Sequence, residues 1–100
     1  MSEADFRRTV CDTLRLFGWR YCHQRPARTS RGWRTAISGD AGYPDPTCVC
    51  GDRILWLELK AEAGRLSQAQ ANWLAALGIA DGSVHVIRPS DSELLEELSR

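Results

Sequence analysis

No run of apolar residues in this chain approaches the roughly 20 that a membrane-spanning helix needs, so no helical span is expected. A basic leader with an apolar stretch behind it is also missing. Met1-Ser2-Glu3-Ala4-Asp5 is polar and acidic, nothing argues for export, and the expected location is a cytoplasm. The ligand spacing of a structural zinc site is lacking too. Four cysteines (Cys11, Cys22, Cys48, Cys50) and two histidines (His23, His85) are present, but such sites bring close ligand pairs twice over. Here Cys48-Val49-Cys50 is the only close cysteine pair, and the adjacent Cys22 and His23 would point to opposite faces of a strand. Reduced thiols filling space as small hydrophobes are the expectation. The last absence is of negative charge. Between Thr13 and Gly39 there is no acidic residue, whereas Arg15, Arg20, Arg25, Arg28, Arg31 and Arg34 all fall there. Net charge is nonetheless zero, helped by Asp91, Glu93, Glu96 and Glu97 at the other end. A local basic block is an electrostatic footprint for phosphates even in a neutral chain. The alternative is a solvated loop whose arginines aid solubility.

What is present reads as one domain over residues 1–100, with 43% hydrophobic and 26% charged residues, the balance of a folded globular chain. Phe6, Val10, Leu14 and Phe17 form one stripe of an amphipathic helix from Glu3 to Phe17, with Ser2 as N-cap and Gly18 as stop. Trp19 to His23 reads as a short strand. From Gln24 to Gly42 periodicity vanishes in a polar, arginine-rich loop with Trp33 in its middle, and loops of that length are usually functional or mobile. Strand or hairpin within it cannot be located from the pattern. Thr47 to Cys50 and Arg53 to Lys60 read as strands joined by a Gly51-Asp52 turn. A helix opens at Ser67 with Ala69, Trp73, Ala76 and Leu77 as its apolar residues. Ser83 to Arg88 is a strand, Pro89 stops it, and Ser90 caps a final short helix through Leu98. Trp56 and Trp73 are expected in the core. The fold class is α/β, in the order α-β-loop-β-β-α-β-α.

Chemistry concentrates on Leu57-Glu58-Leu59-Lys60. Side chains alternate along a strand, so Glu58 and Lys60 share one face, and charges at the end of an apolar strand are costly without partners or a purpose. One purpose is a divalent ion. Glu58, a second carboxylate and the backbone carbonyl of Leu59 are the oxygen donors that Mg²⁺ prefers. Asp45, held between Pro44 and Pro46 just before the preceding strand, is the natural second carboxylate. Lys60 could then orient or deprotonate a water and offset charge on an attacked phosphate. The competing reading is a strand-end surface pair worth little. His23 is more often a half-buried structural histidine than a base. Trp33, between Arg31 and Arg34, could stack on a base or anchor the loop to the core.

Gly42-Tyr43-Pro44-Asp45, then Glu58-Leu59-Lys60, then Leu66-Ser67-Gln68-Ala69-Gln70-Ala71-Asn72-Trp73-Leu74, resembles the VRR-NUC family of the PD-(D/E)XK nuclease superfamily. The likeness is to its short stand-alone members from bacteriophages and bacteria. It extends to Gly18-Trp19, Gly39-Asp40-Ala41-Gly42 and Arg88-Pro89-Ser90-Asp91. The resemblance implies a restriction-endonuclease-like core, a mixed sheet flanked by helices. It implies Asp45 and Glu58 as metal ligands and Lys60 as the catalytic lysine. Glu3 would be an acid that helps hold metal or water, and Gln70 (less readily Gln68) the glutamine of the following helix. Mg²⁺ or Mn²⁺ would be the cofactor, branched DNA the substrate, and a homodimer the working unit. Arg25, Arg28, Arg31, Trp33 and Arg34 would contact the nucleic acid. One departure is Pro46, where the family usually has an apolar residue. The alternatives are a nucleic-acid-binding module without turnover and, less favoured by the cysteine spacing, a zinc-stabilised interaction domain.

Overall fold

The computed structural model describes residues 2–24, 27–34, 37–80, 82–91, 96 and 98. Helix α1 (Glu3–Leu16) starts where the Ser2 hydroxyl accepts the Asp5 N–H at 3.1 Å. Its stripe is Phe6, Val10 and Leu14, with Cys11 alongside, all buried. Phe17, expected in the stripe, is the C-cap and is exposed, because Gly18 turns the chain with φ +83° and redirects it so that Trp19 enters the core instead. The Trp19 indole N–H donates to Leu98 O at 2.7 Å, and the Arg53 guanidinium lies over its ring.

Strands β1 (Arg20–Cys22), β4 (Thr47–Cys50), β5 (Arg53–Leu59) and β6 (Val84–Ile87) form one mixed four-stranded sheet in the order β1-β4-β5-β6. The first three are antiparallel; β6 joins β5 in parallel, with helix α2 (Gln68–Ile79) as the crossover. The protein is thus a small α/β domain. Alternation along β5 sends Leu55, Leu57 and Leu59 to the α1 side, where they meet Phe6, Val10, Leu14, Cys48 and Ile87 in the core. Each fully buried leucine there contributes about 2 kcal/mol of transfer free energy. Trp56, Glu58 and Lys60 take the other face by the same alternation.

One point left open is filled, and two expectations need correction. The 24–42 stretch contains a hairpin, β2 (Ala27–Thr29) and β3 (Gly32–Arg34), which forms its own two-stranded sheet. No period revealed it, since every described side chain from Arg28 to Arg34 is exposed. Helix α2 buries none of its residues. Trp73 is therefore outside the core: its ring meets Tyr43 edge-on at 5.0 Å and its N–H donates to Asp40 O at 3.1 Å. Trp56 is half-buried, its N–H donating to the Tyr43 hydroxyl at 2.9 Å. Of the helix expected from Ser90 to Leu98, Glu96 and Leu98 are helical; residues 92–95 and 97 lie outside the described residues. Among the described residues no helix is long and apolar enough to cross a membrane.

Candidate functional site

Hairpin register sets Asp45 beside Glu58. The β4–β5 ladder pairs Thr47 with Trp56, and Leu57 N–H donates to Pro46 O at 3.0 Å, so the next step along the ladder is Asp45 against Glu58. Pro46 has no N–H to return, which ends the pairing there. On the other side, β1 pairs Cys22 with Thr47, and the same count sets Gln24 against Asp45. Asp45 therefore stands where three chain segments meet, with a cis bond to Pro46.

Its carboxylate is well supplied with donors. Gln24 N–H donates to Oδ1 at 3.2 Å, while His23 Nδ1 (2.8 Å) and Arg7 Nη1 (3.2 Å) both reach Oδ2. Arg7 Nη1 also meets the Asp45 backbone oxygen at 3.4 Å. Arg7 was not singled out from the sequence. The available signal was its spacing of four from Glu3, which puts both on one face of α1. His23, half-buried just past the end of β1, has a partner that its sequence position did not disclose.

Glu58 is in the opposite condition. It is the one buried charged residue among those described, 4% exposed, and among them no hydrogen bond or ion pair reaches its carboxylate. No side-chain oxygen of the described residues is both sealed from solvent and unpartnered, so water still touches it. Burial pushes its pKa up to about 7, against the pull of Lys60 and Arg7 and with the help of Asp45 and Glu3. Of those charges, Asp45 and Lys60 belong to the expected site, and Arg7 joins them as a residue not expected there.

Lys60 continues the β5–β6 ladder, its N–H donating to Ile87 O at 3.0 Å. The loop after it is fastened by Arg88, whose Nη1 donates to Ala61 O and Gly64 O, each at 2.7 Å. That gives the Arg88-Pro89-Ser90-Asp91 segment a structural task. A compositional signal was also there to be read: of thirteen basic residues, Lys60 is the only lysine.

Other predicted residues stand apart. Glu3 is exposed on the first turn of α1, and among the described residues no three His, Cys, Asp or Glu side chains gather as a metal-holding group. Glu3 thus acts on Glu58 through space and does not complete a three-carboxylate cluster. Gln70 is engaged elsewhere: its Oε1 accepts the Ser67 N–H at 2.9 Å while its own N–H donates to the Ser67 hydroxyl, the capping box that starts α2. Gln68 bonds Asn72 along the same helix. Arg28, Arg31, Trp33 and Arg34 lie on the exposed β2–β3 hairpin, and Arg25 lies outside the described residues. Trp33 is 62% exposed, which rules out anchoring in the core. The four cysteines are free: Cys11 and Cys48 are buried, Cys50 half-buried, and Cys22, against expectation, exposed because it points away from α1 at the sheet edge. Burial pushes the Cys48 thiol up to about 11, far from a thiolate ligand.

Two carboxylates, among the described residues one paired on three of its four acceptor sites and one unpartnered, are donors of the kind a small divalent cation takes. Mg²⁺ is commonly held by one or two carboxylates, with waters and phosphate oxygens filling its octahedron. The oxygen donors present are of the kind such an ion takes, and Lys60 and Arg7 are the cations whose charge acts on Glu58. No family model, no curated protein and no solved structure matches the chain.

Proposed function

We propose that this protein is a divalent-metal-dependent DNA endonuclease of the VRR-NUC type, hydrolysing phosphodiester bonds with preference for branched DNA. The observation that carries the reading is Glu58, a buried carboxylate with no hydrogen-bond or ion-pair partner among the described residues, two positions along the strand from the chain's only lysine and at the register step of Asp45. A chain that left a carboxylate this way for structural reasons alone would lose stability for no return. The element order of helix, antiparallel strands, crossover helix and parallel strand also supports a PD-(D/E)XK core.

In this reading Asp45 and Glu58 would hold Mg²⁺ or Mn²⁺, with the Leu59 carbonyl as a further donor. Such an ion, when bound, would supply an activated water and stabilise charge on the attacked phosphate. Lys60 holds a proton toward a non-bridging phosphate oxygen and offsets the charge that grows there. Arg7 anchors Asp45. The β2–β3 hairpin offers Arg28 and Trp33, cross-strand partners on one face, to the DNA backbone and to an unstacked base.

The test is incubation with linear, nicked, flap and four-way DNA, with and without Mg²⁺ or Mn²⁺, Lys60→Ala alongside. Wild type should cut only with metal. Lys60→Ala should bind DNA equally and cut at least ~100-fold more slowly. One observation favours a second reading, a binding module without turnover: the Asp45 carboxylate is already paired with Arg7. Wild type that binds DNA and cuts nothing with either metal would establish that module.

The hairpin makes its own prediction. Replacing Arg28 and Arg31 by alanine should weaken DNA binding and lower the salt slope by roughly 0.9 per lost phosphate contact. Trp33→Ala should cost about 1–3 kcal/mol of affinity on single-stranded segments. Melting temperatures should not move, because these side chains are exposed. Unchanged binding in filter or anisotropy titrations would remove the hairpin from the interface.

A further inference from the structure

We propose that His23 is a positioning residue, whose Nδ1 fixes the Asp45 carboxylate so that Oδ1 stays available to a divalent cation. The inference rests on the metal-site reading above. An ionised carboxylate has about four acceptor sites, two on each oxygen. Oδ2 spends both, on His23 Nδ1 at 2.8 Å and Arg7 Nη1 at 3.2 Å. Oδ1 spends one, on Gln24 N–H at 3.2 Å. Among the described residues a single acceptor site is left, and it belongs to Oδ1.

Arg7 alone would not set this orientation. It meets the Asp45 backbone and side-chain oxygens through one nitrogen, at 3.4 and 3.2 Å, a grip about which the carboxylate can turn. The His23 bond is shorter and comes from a different chain segment, so the two together fix the plane. The arrangement follows from local chemistry. The β1–β4 count sets His23 against Pro46, which offers no N–H, so backbone pairing stops and the imidazole takes over the contact with Asp45. A carboxylate oxygen can only accept, so Nδ1 carries a hydrogen whether or not Nε2 does. The role therefore does not depend on the charge of the ring. Ligand carboxylates held in this way lose metal affinity by roughly 10–100-fold when the holding group is removed.

His23 also lines a cavity of about 430 Å³ with Arg7, Cys11 and Tyr21 and is itself no member of the core cluster, so replacements at His23 should fold. The experiment is a Mn²⁺ titration of the intact protein without DNA, read by the electron paramagnetic resonance of free Mn²⁺. Asparagine sets an amide N–H near the place of Nδ1; glutamine sets one near Nε2. His23→Ala should raise the Mn²⁺ Kd roughly 10–100-fold. His23→Asn should restore most of the affinity and His23→Gln should not. Equal losses in the alanine and asparagine variants overturn the proposal, as does unchanged affinity in His23→Ala. Two controls separate its failure from that of the metal-site reading. Mn²⁺ binding by Glu58→Gln equal to wild type sinks the metal site itself. In metal-free buffer, His23→Ala should lower the melting temperature by several degrees in wild type but not in an Asp45→Ala background; no such coupling overturns the positioning role regardless of metal.

Discussion

Glu58→Gln is expected to make the metal-free protein more stable at pH 8 and to leave it without cleavage activity. The carboxyl has an ordinary pKa of 4.5 and burial pushes it up to about 7 in the folded chain. Below pH ~4.5 both folded and unfolded forms are protonated, and burial costs little extra. Between about 4.5 and 7 the folded form binds more protons than the unfolded one, so stability falls as pH rises. Above about 7 the cost is complete. A shift of this size corresponds to on the order of 3 kcal/mol, and solvent access at the carboxylate lowers it to about 2 kcal/mol. Glutamine keeps the shape and never ionises. Thermal melts in EDTA should therefore show the variant ahead by roughly 8–16 °C at pH 8, with the gap closing toward pH 4.5. Mg²⁺ should reverse the order in part, since it stabilises only a protein that binds it. A constant gap across this pH range would mean that Glu58 is ordinary and that the candidate site has lost its centre. Stability regained where activity is lost marks a residue retained for function.

The readable parts of this fold were local. The α1 stripe of Phe6, Val10 and Leu14, the Ser2 and Ser67 caps, and the alternation of Leu55, Leu57 and Leu59 each depend on neighbours a few residues away. The β4–β5 hairpin was legible as well, and its register, carried two steps beyond Thr47 and Trp56, brings Asp45 level with Glu58. What escaped was settled by contacts across the fold. Arg7 lies 38 positions from Asp45 and His23 lies 22, and neither spacing carries a periodic signature. Helix α2 misled for another reason. Its apolar residues lie all round the helix, so no stripe has a direction, and Trp73 is tied to Asp40 and Tyr43 without entering the core. The hairpin of Arg28 and Trp33 has short strands with both faces wet, where alternation has nothing to report.

Gly42→Ala should be the most damaging single-methyl change in the segment leading to the site. Gly42 has φ +94°, and a Cβ built there would lie 2.5 Å from the Ala69 carbonyl carbon and 2.7 Å from Gln70 N. Both are backbone atoms of the first turn of α2, which the Ser67–Gln70 capping box holds in place. Neither neighbour can swing aside as a flexible side chain would. Backbone strain of about 1–3 kcal/mol adds to the displacement of a helix terminus, so a loss of at least ~3 kcal/mol is expected. Gly39→Ala separates the two causes: its φ is +102° with nothing within 4 Å, so it carries the strain without the collision. Gly78→Ala, inside α2 with open space at its Cβ, should be stabilising by up to ~1 kcal/mol. Chemical denaturation should rank the three with Gly42→Ala far below Gly39→Ala. The consequence for function follows from the chain path. Tyr43 accepts from Trp56 and Thr47 and meets Trp73, and Asp45 is two residues on, so a shift at Gly42 moves the carboxylate proposed to hold metal. Cleavage by Gly42→Ala, measured where the protein is still folded, should therefore fall with a raised Mg²⁺ requirement, while Gly39→Ala keeps the wild-type requirement. Equal stability of the Gly42 and Gly39 variants would mean that α2 does not seat the Asp45 segment.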